Sequence, residues 1–553
     1  MSASQSGKPL RPSDWQPALP VDRLLTRDKP GDEAVPLDVL FVGGGPAGLS
    51  GAIELARLVQ GDSELGEVEI GVLEKAESLG EHCLSGAVVN PSAMRELFPD
   101  LRDADFPFQA PVKEDRVFFL TEKGKLRLPT PPTMRNHGNW VASICEIVRW
   151  LGEKAEKLGV NLFTGFPAEA LYVEDARVTG VRTAPVGLDR EGNPGSGYSP
   201  PTDLTAKVTV LSEGTRGPLT QAWLDWQGVG SENPQIFALG VKELWELKRP
   251  LNTVIHTMGW PLPRDTFGGS WLYPMGEGYA SLGLVAGLDY RQHSLDVHVL
   301  LQKLKMHPLV REYLEGGEIQ EWGAKTIPEG GYYSLPSRLH GDGALVVGDA
   351  AGFVDVPSLK GIHYAMYSGI YAARTIYKAL KAGDTSKATL SDYDGLIRGS
   401  TIHKDLRETR NMRLAFKSGF YLGGAKAWVM SLTKGDVPGS MIAVEPDAAE
   451  ERTVTAEEPF NPDGKTTFTK LDAVYRSGNI TRDDIPVHLV AQDDVPPEVA
   501  DFYSHMCPAG VYEREGDKLV INAPNCIDCK ATDILGPRWT VKEGGTGPKY
   551  KRM

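Results

Sequence analysis

Three cysteines crowd the last fifty residues of the chain. Cys507 precedes Pro508, and Cys526 and Cys529 lie in the run Asn525-Cys526-Ile527-Asp528-Cys529-Lys530-Ala531-Thr532-Asp533. A Cys-x-x-Cys turn directs two thiolates at one point, and a chain that folds back can bring Cys507 as a third. Cysteinyl thiolates are the ordinary ligands of iron-sulfur clusters. Zinc is the alternative occupant, but it wants four firm ligands and no histidine stands near the pair. Three thiolates are one short of a 4Fe-4S set, because a third Cys-x-x step lands on Thr532, a poor iron ligand. Asp528, Asp533 or a solvent oxygen could fill the vacancy, or a 3Fe-4S cluster could form instead. Cys83 and Cys145 are isolated and are expected to be small buried apolar residues. Five cysteines in so long a chain, three of them clustered, fit a metal site in a reducing compartment better than a disulfide framework.

The second concentration of chemistry is the run Gly43-Gly44-Gly45-Pro46-Ala47-Gly48, which satisfies GxGxxG. Val42 closes the strand before it, and a helix is expected from Ala47 to Val59. Gly43 and Gly45 permit the tight turn and close backbone approach to a pyrophosphate, and Gly48 lets helix and sheet pack closely. The helix that Pro46 and Ala47 open then faces the phosphates with unpaired N–H groups. Glu74, at the end of the next strand, could accept hydrogen bonds from the adenosine ribose, with Lys75 beside it. A late strand, Ala344-Leu345-Val346-Val347, runs into Gly348-Asp349. Such a strand end suits the ribityl chain of FAD, with Asp349 as the contact, and favours FAD over NAD. An ordinary helix cap is the plainer reading of Gly348-Asp349.

The elements that must position these groups follow from the pattern of apolar residues. Leu37 to Val42 is short and almost wholly apolar, as in a parallel strand buried on both faces. A second strand over Glu67 to Glu74 completes a βαβ unit. Trp140 to Leu158 is amphipathic, the VNLFTGFPAEALYV stretch alternates like strands, and Gly361 to Leu380 reads as a helix. From about Gly240 to Ala286 the chain is rich in aromatics, Gly and Pro, which suggests an inserted β-rich unit. Residues 1–36 form a Pro-rich polar arm with no helical or strand period, expected as a surface extension. Near Val444 to Pro462 the sequence turns acidic and loses apolar residues, which marks a linker.

At 553 residues the chain needs several packing units. Hydrophobic residues at 41% and charged residues at 24% are globular values, and a formal net charge of −14 argues against nucleic-acid binding. No stretch approaches twenty uninterrupted apolar residues, so membrane contact is expected to be superficial. The start of the chain carries neither a signal peptide nor a clean transit peptide, and the expected location is the cytoplasmic face of a bacterial inner membrane.

Taken together, VGGGPAGLSGAIELA, VLEKAESLGEHCLSGAVVNP, HTMGWPLPRDTFGGSWLY, VPSLKGIHYAMYSGIYAA, MCPAGVYE and NAPNCIDCKATDI resemble the electron transfer flavoprotein-ubiquinone oxidoreductase family over nearly the whole length. The resemblance implies an α/β protein, α+β overall. A Rossmann-like FAD domain (37–240 and 341–443) would carry an inserted β-rich quinone domain (241–340). A linker (444–462) would lead to a ferredoxin-like iron-sulfur module (463–553). It implies electron transfer flavoprotein and ubiquinone as partners at a monotopic membrane surface. It places quinone beside Gly268 and Gly269, where glycine clears space beside a flat ring, and the cluster on Cys507, Cys526 and Cys529. The family's fourth cluster cysteine is Thr532 here.

Membrane contact is expected along Phe416 to Leu432, with Phe416, Phe420, Tyr421, Trp428, Val429 and Met430 among Lys417, Lys426 and Lys434, and with Val117 to Leu120 beside it. Aromatics at this spacing also suit an ordinary core face. His82, His137, His256 and His363 lie near motif stretches and take no acid or base role. An FAD-dependent isoprenoid reductase or hydroxylase, and a non-catalytic relay or scaffold, are the rival readings.

Overall fold

The computed structural model describes residues 9–437, 439–454 and 459–553, with the side chain of Phe420 outside that description. Its framework runs, in chain order, through β1 (Val35–Val42), α1 (Pro46–Gln60), β2 (Ile70–Glu74), β3 (Asp115–Leu120), β4 (Lys125–Leu128) and β5 (Asp203–Leu211). It continues through β6 (Phe237–Glu246), β7 (Val254–Gly259), β8 (Gly268–Pro274), β9 (Tyr279–Gly287), β10 (Glu318–Pro328) and β11 (Ala344–Val346). The long helix α2 (Ile362–Ala382), the helix α3 (Phe420–Leu432) and α4 (Pro497–Met506) complete it.

The first sheet has nine strands and a parallel centre, with β5, β1, β2 and Asn161–Thr164 side by side and β11 on the other flank of β5. Val39 to Val42 are fully or almost fully buried, as a strand covered on both faces requires. α1 and α2 cross over this sheet at backbone distance, and a β-carbon at Gly369 would lie 2.1 Å from the Ala47 carbonyl oxygen. The second sheet has seven strands in the order β10-β6-β9-β8-β7-β3-β4. It is antiparallel except for β7 and β3, which pair in parallel with His256 opposite Val117.

Several sequence expectations change here. β3 and β4 join the second sheet from outside the expected 241–340 span, because a parallel pairing across more than a hundred residues leaves no local trace. Val117, Phe118 and Leu120 are therefore core residues of β3 and not a membrane contact. The arm is also structured among its described residues. It carries a 3-10 turn at Pro12–Trp15, a short helix at Val21–Leu24 and a strand at Leu25–Thr26 that pairs with Leu171 and Tyr172. Gln16 donates to the Asp533 carbonyl at 2.9 Å, and Arg538 donates to the Pro17 carbonyl at 2.8 Å, so the arm straps the C-terminal module. The described residues at the start of the acidic stretch near 444–462 are likewise packed. The buried Asp447 accepts from the Phe237 N–H at 2.7 Å, and buried Arg452 stacks over Tyr290 at 4.5 Å.

Candidate functional site

A cavity of about 810 Å³ opens between the two sheets and the C-terminal module. Val42, Gly43, Gly45, Pro46, Ala47, Glu74, Lys75, Gly348, Asp349, Gly268 and Gly269 all line it. At its deep end the glycine turn is set by backbone contacts. Gly43 has φ +118°, and a β-carbon there would sit 2.3 Å from the Ser212 carbonyl oxygen. A β-carbon at Gly48 would sit 2.1 Å from the Gly43 oxygen. Gly45 differs, since a β-carbon there meets nothing within 4 Å. That open space beside a helix start is the cradle a pyrophosphate needs. The Glu74 carboxylate already accepts from the Gly44 N–H at 3.0 Å and the Ala76 N–H at 2.9 Å, so it fixes the turn as well as facing the cavity. Asp349 follows β11, and burial pushes its carboxyl up to about 6, with Lys325 opposing. The residues present fit FAD.

Gly268 and Gly269 open β8 on the opposite wall. A side chain at Gly268 would strike the Val285 carbonyl, and one at Gly269 would come within 2.8 Å of the Thr257 oxygen. Both glycines therefore serve strand pairing as well as clearance.

The three late thiols are buried together, with Cys507 at the end of α4 and Cys526 after a 3-10 turn at Ala523–Asn525. Asp528 and Lys530 take φ +55° and +70°, an unfavourable region for residues with side chains. These two left-handed residues flank Cys529 and shape the knuckle. Burial raises the Cys526 thiol to about 12, helped by Asp528. Burial also raises Cys529, with Cys507 and Cys526 as its next electrostatic neighbours. Buried, protonated thiols would become thiolates when iron supplies compensating charge. The donor set fits an iron-sulfur cluster through three sulfurs.

The fourth position is closed off in another way. Thr532 donates its hydroxyl to the Pro537 carbonyl at 3.0 Å, and the Tyr512 hydroxyl lies 2.5 Å from it. Asp533 is held by Arg216 at 2.9 Å and Arg538 at 3.0 Å. Asp528 is held by Lys75 at 2.7 Å, Lys542 at 3.1 Å and the Trp539 indole N–H at 3.1 Å. Burial would raise the Asp528 carboxyl, but Lys542 and Lys75 outweigh it and hold it well below the usual range. Both carboxylates considered as substitutes are thus engaged elsewhere. His488 lies within 4.8 Å of the Cys526 sulfur and an Asp528 oxygen. It is a neighbour that sequence spacing did not reveal.

The knuckle and the cavity share a wall. Thr326, a lining residue, donates to the Cys529 carbonyl through its N–H at 3.0 Å and its hydroxyl at 2.8 Å. Lys530, next to Cys529, also lines the cavity, and its ammonium stands 2.9 Å from the Trp539 ring centre. Lys325, Thr326 and Lys542 belong to no motif, Lys530 follows the cysteine pair without a role assigned by it, and the folding of β10 against the C-terminal module brings the four together.

At its outer end the cavity reaches α3, where Tyr421, Gly424, Ala427, Trp428 and Ser431 line it. Tyr421, Trp428 and Leu432 are also about two-thirds exposed, at 66%, 64% and 65%. Met430 is buried, and Lys417 turns inward to Asp289 at 3.0 Å and to Glu450. The expected membrane face is therefore narrower than the sequence suggested, and Phe420 lies outside the described residues. Cys145 is buried as expected, whereas Cys83 is half-buried and lines the cavity. His82, His256 and His363 line it too, and His137 is exposed. No helix among the described residues is long and apolar enough to cross a membrane.

Two family descriptions match the chain: "ETF-QO, ubiquinone-binding" over residues 237–327, and "Electron transfer flavoprotein-ubiquinone oxidoreductase, 4Fe-4S" over residues 464–551. The mitochondrial electron transfer flavoprotein-ubiquinone oxidoreductase of Dictyostelium discoideum is 39% identical over 95% of this chain and 92% of its own length. The Oryza sativa protein of the same name is 39% identical over 98% and 96%, and the Homo sapiens protein 37% over 93% and 89%. Among solved structures, a geranylgeranyl bacteriochlorophyll reductase-like protein from Thermoplasma acidophilum aligns with TM-score 0.56 at 20% identity, covering 72% of this chain and 92% of that one. The flavin-dependent brominase Bmp2 aligns with TM-score 0.51 at 18% identity, covering 73% and 99%. These two likenesses speak to the fold.

Proposed function

The chain belongs to the electron transfer flavoprotein-ubiquinone oxidoreductase family, and from that premise we propose that it accepts electrons from reduced electron transfer flavoprotein and passes them to ubiquinone. FAD and an iron-sulfur cluster are its cofactors, and when bound they supply the electron storage that side chains lack. In this reading Val42, Gly43, Gly45, Pro46, Ala47, Gly48, Glu74, Lys75, Gly348 and Asp349 hold FAD. Gly268 and Gly269 border the quinone, and Cys507, Cys526 and Cys529 bind the cluster. The domain division expected from sequence is kept as a proposal, with β3 and β4 added to the quinone unit.

One observation carries the reading. A single cavity joins the Gly45 cradle, the Gly269 wall and the exposed face of α3, and Thr326 in its wall holds the Cys529 carbonyl directly. Electron transfer asks for cofactors close together in a low-dielectric matrix, and the shared wall supports that reading. The protein's part is to bind, orient and exclude water.

We place α3 at a lipid surface, with Tyr421, Trp428 and Leu432 as the immersed residues and the cavity mouth beside them. Aromatic side chains and nearby lysines suit an interfacial helix. The relatives named above are mitochondrial. The finer placement, at the cytoplasmic face of a bacterial inner membrane, is a proposal that fractionation of the producing cell tests. Purified protein given reduced electron transfer flavoprotein and a short-chain ubiquinone should form quinol. NADPH oxidation with no quinone reduction would favour an isoprenoid reductase or hydroxylase instead.

A further inference from the structure

Reducing a quinone to a quinol consumes two electrons and two protons, and the electron route leaves the protons unassigned. The groups at the quinone end of the cavity narrow the choice. His256 on β7, Gly269, Trp271 and Tyr273 on β8, and Asp115 on β3 share one face of the second sheet, as their pairing register requires. His256 Nδ1 lies 3.0 Å from the Tyr273 hydroxyl, and Nε2 has no hydrogen-bond partner among the described residues, with Asp115 Oδ1 4.0 Å away. Asp115 itself accepts from the Asn136 N–H at 2.9 Å and side-chain amide at 2.6 Å. The loop from Asp355 to Gly361 lines the same cavity from Val356 to Gly361 and is closed by reciprocal backbone hydrogen bonds between Asp355 and Lys360 at 2.9 and 3.1 Å. The loop carries Lys360 into the cavity wall just before α2, where its ammonium donates to the Ser358 carbonyl at 2.8 Å.

We propose that Lys360 is the proton donor to one oxygen of the reduced quinone. The Nζ–H bond breaks, an O–H bond forms on the quinone oxygen, and the amine reloads from solvent through its partly exposed side. The second oxygen takes its proton from water at the cavity mouth near α3, and the electrons come from the flavin. This inference rests on the quinone site proposed above.

The alternatives at this end are poorly placed to donate. Burial, reinforced by Lys360, lowers His256 and His363 to about 3, so both are neutral at ordinary pH. Burial raises the Tyr273 hydroxyl far above its usual range. Arg413 and Glu329 are locked in an ion pair at 2.6 Å, and Lys75 and Lys542, at the cysteine knuckle, are committed to Asp528. Lys360 is lowered by burial to about 8, with Asp355 and Asp115 opposing the shift. It faces Asp355 from its own loop, Asp115 from β3, His256 from β7 and His363 from α2, and Asp405 lies beyond Asp355. An ammonium in that range remains charged at neutral pH yet yields its proton to a more basic quinol oxygen.

The test compares two acceptors on the holoenzyme of Lys360→Met. A one-electron acceptor that takes no proton, ferricenium, should be reduced at the wild-type rate. Quinone turnover should fall by about 10²-fold, the usual scale for losing a positioned proton donor. Methylamine should restore part of it. In the wild type, quinone turnover should fall as pH rises past about 8, where the ammonium is lost, and the variant should lack that limb. An unchanged quinone rate would overturn the proposal. So would an equal loss with both acceptors accompanied by a shifted flavin potential, which would make Lys360 an electrostatic neighbour of the flavin. A wild-type protein that reduces ferricenium but no quinone would instead defeat the proposed function.

Discussion

The glycine turn at residues 43–48 and the cysteine turn at residues 526–529, the two runs proposed to hold the redox groups, depend on different atoms. The first is made by backbone, and the carbonyls of Gly43 and Ser212 forbid a side chain at Gly48 and Gly43. The second is made by side chains, so a single replacement can remove a ligand while the fold closes around the new residue. Thr532 illustrates this, since its hydroxyl has been absorbed into hydrogen bonds with Pro537 and Tyr512. A backbone cradle is retained or lost as a whole. A thiolate set can be partial.

The largest effect should come from filling the cradle. Gly48→Val puts a branched side chain where a β-carbon alone is 2.1 Å from a carbonyl oxygen. Purified protein should lack flavin absorption, and a normal flavin content would show that the turn is more pliable than its contacts imply. Removing a sulfur should separate the two sites: Cys526→Ser should lose most iron and acid-labile sulfide while keeping flavin. Loss of both cofactors together would mean that the modules fold as one unit through the Lys75–Asp528 pair.

Changes at Thr532 sharpen the contrast further. Thr532→Cys should alter the paramagnetic signal of the cluster by adding a fourth thiolate, and Thr532→Val should leave that signal alone. The valine variant should also lose about 1–2 kcal/mol of stability in denaturant unfolding, because the buried Tyr512 hydroxyl loses its partner. A spectrum altered by valine would make the threonine oxygen a ligand. The smallest effect is expected from Glu74→Gln. It keeps the shape but weakens charge-assisted bonds to Gly44 and Ala76, so FAD should bind about tenfold less tightly in a reconstitution titration.

Much of the first site was legible because its determinants are local. β1, α1 and β2 fall within a residue or three of their expected bounds, and the strand before Asp349 ends one residue early. The cysteine spacing likewise announced a turn, and the structure has one, with Asp528 and Lys530 in left-handed conformations on either side of Cys529. What escaped were features assembled across the chain: β3 beside β7, the arm bound to Arg538, and Thr326 on the Cys529 carbonyl. The start of the acidic stretch reads as a linker because Asp447 and Arg452 look solvated by composition, while their partners Phe237 and Tyr290 lie well over a hundred residues upstream. Lys360 lies within the run VPSLKGIHYAMYSGIYAA, but nothing in that run marks it as a proton donor, since its place follows from a loop that lines the cavity beside a sheet formed earlier in the chain.

The central claim is that the flavin cavity and the thiolate knuckle form one electron-transfer unit ending at quinone. It is tested most directly by an anaerobic experiment that follows the flavin absorbance and the cluster's paramagnetic signal in a single sample. Reduced electron transfer flavoprotein should reduce both centres, and added ubiquinone should reoxidise both. A cluster signal that stays fixed while the flavin cycles, or a flavin that ubiquinone leaves reduced, would contradict the account.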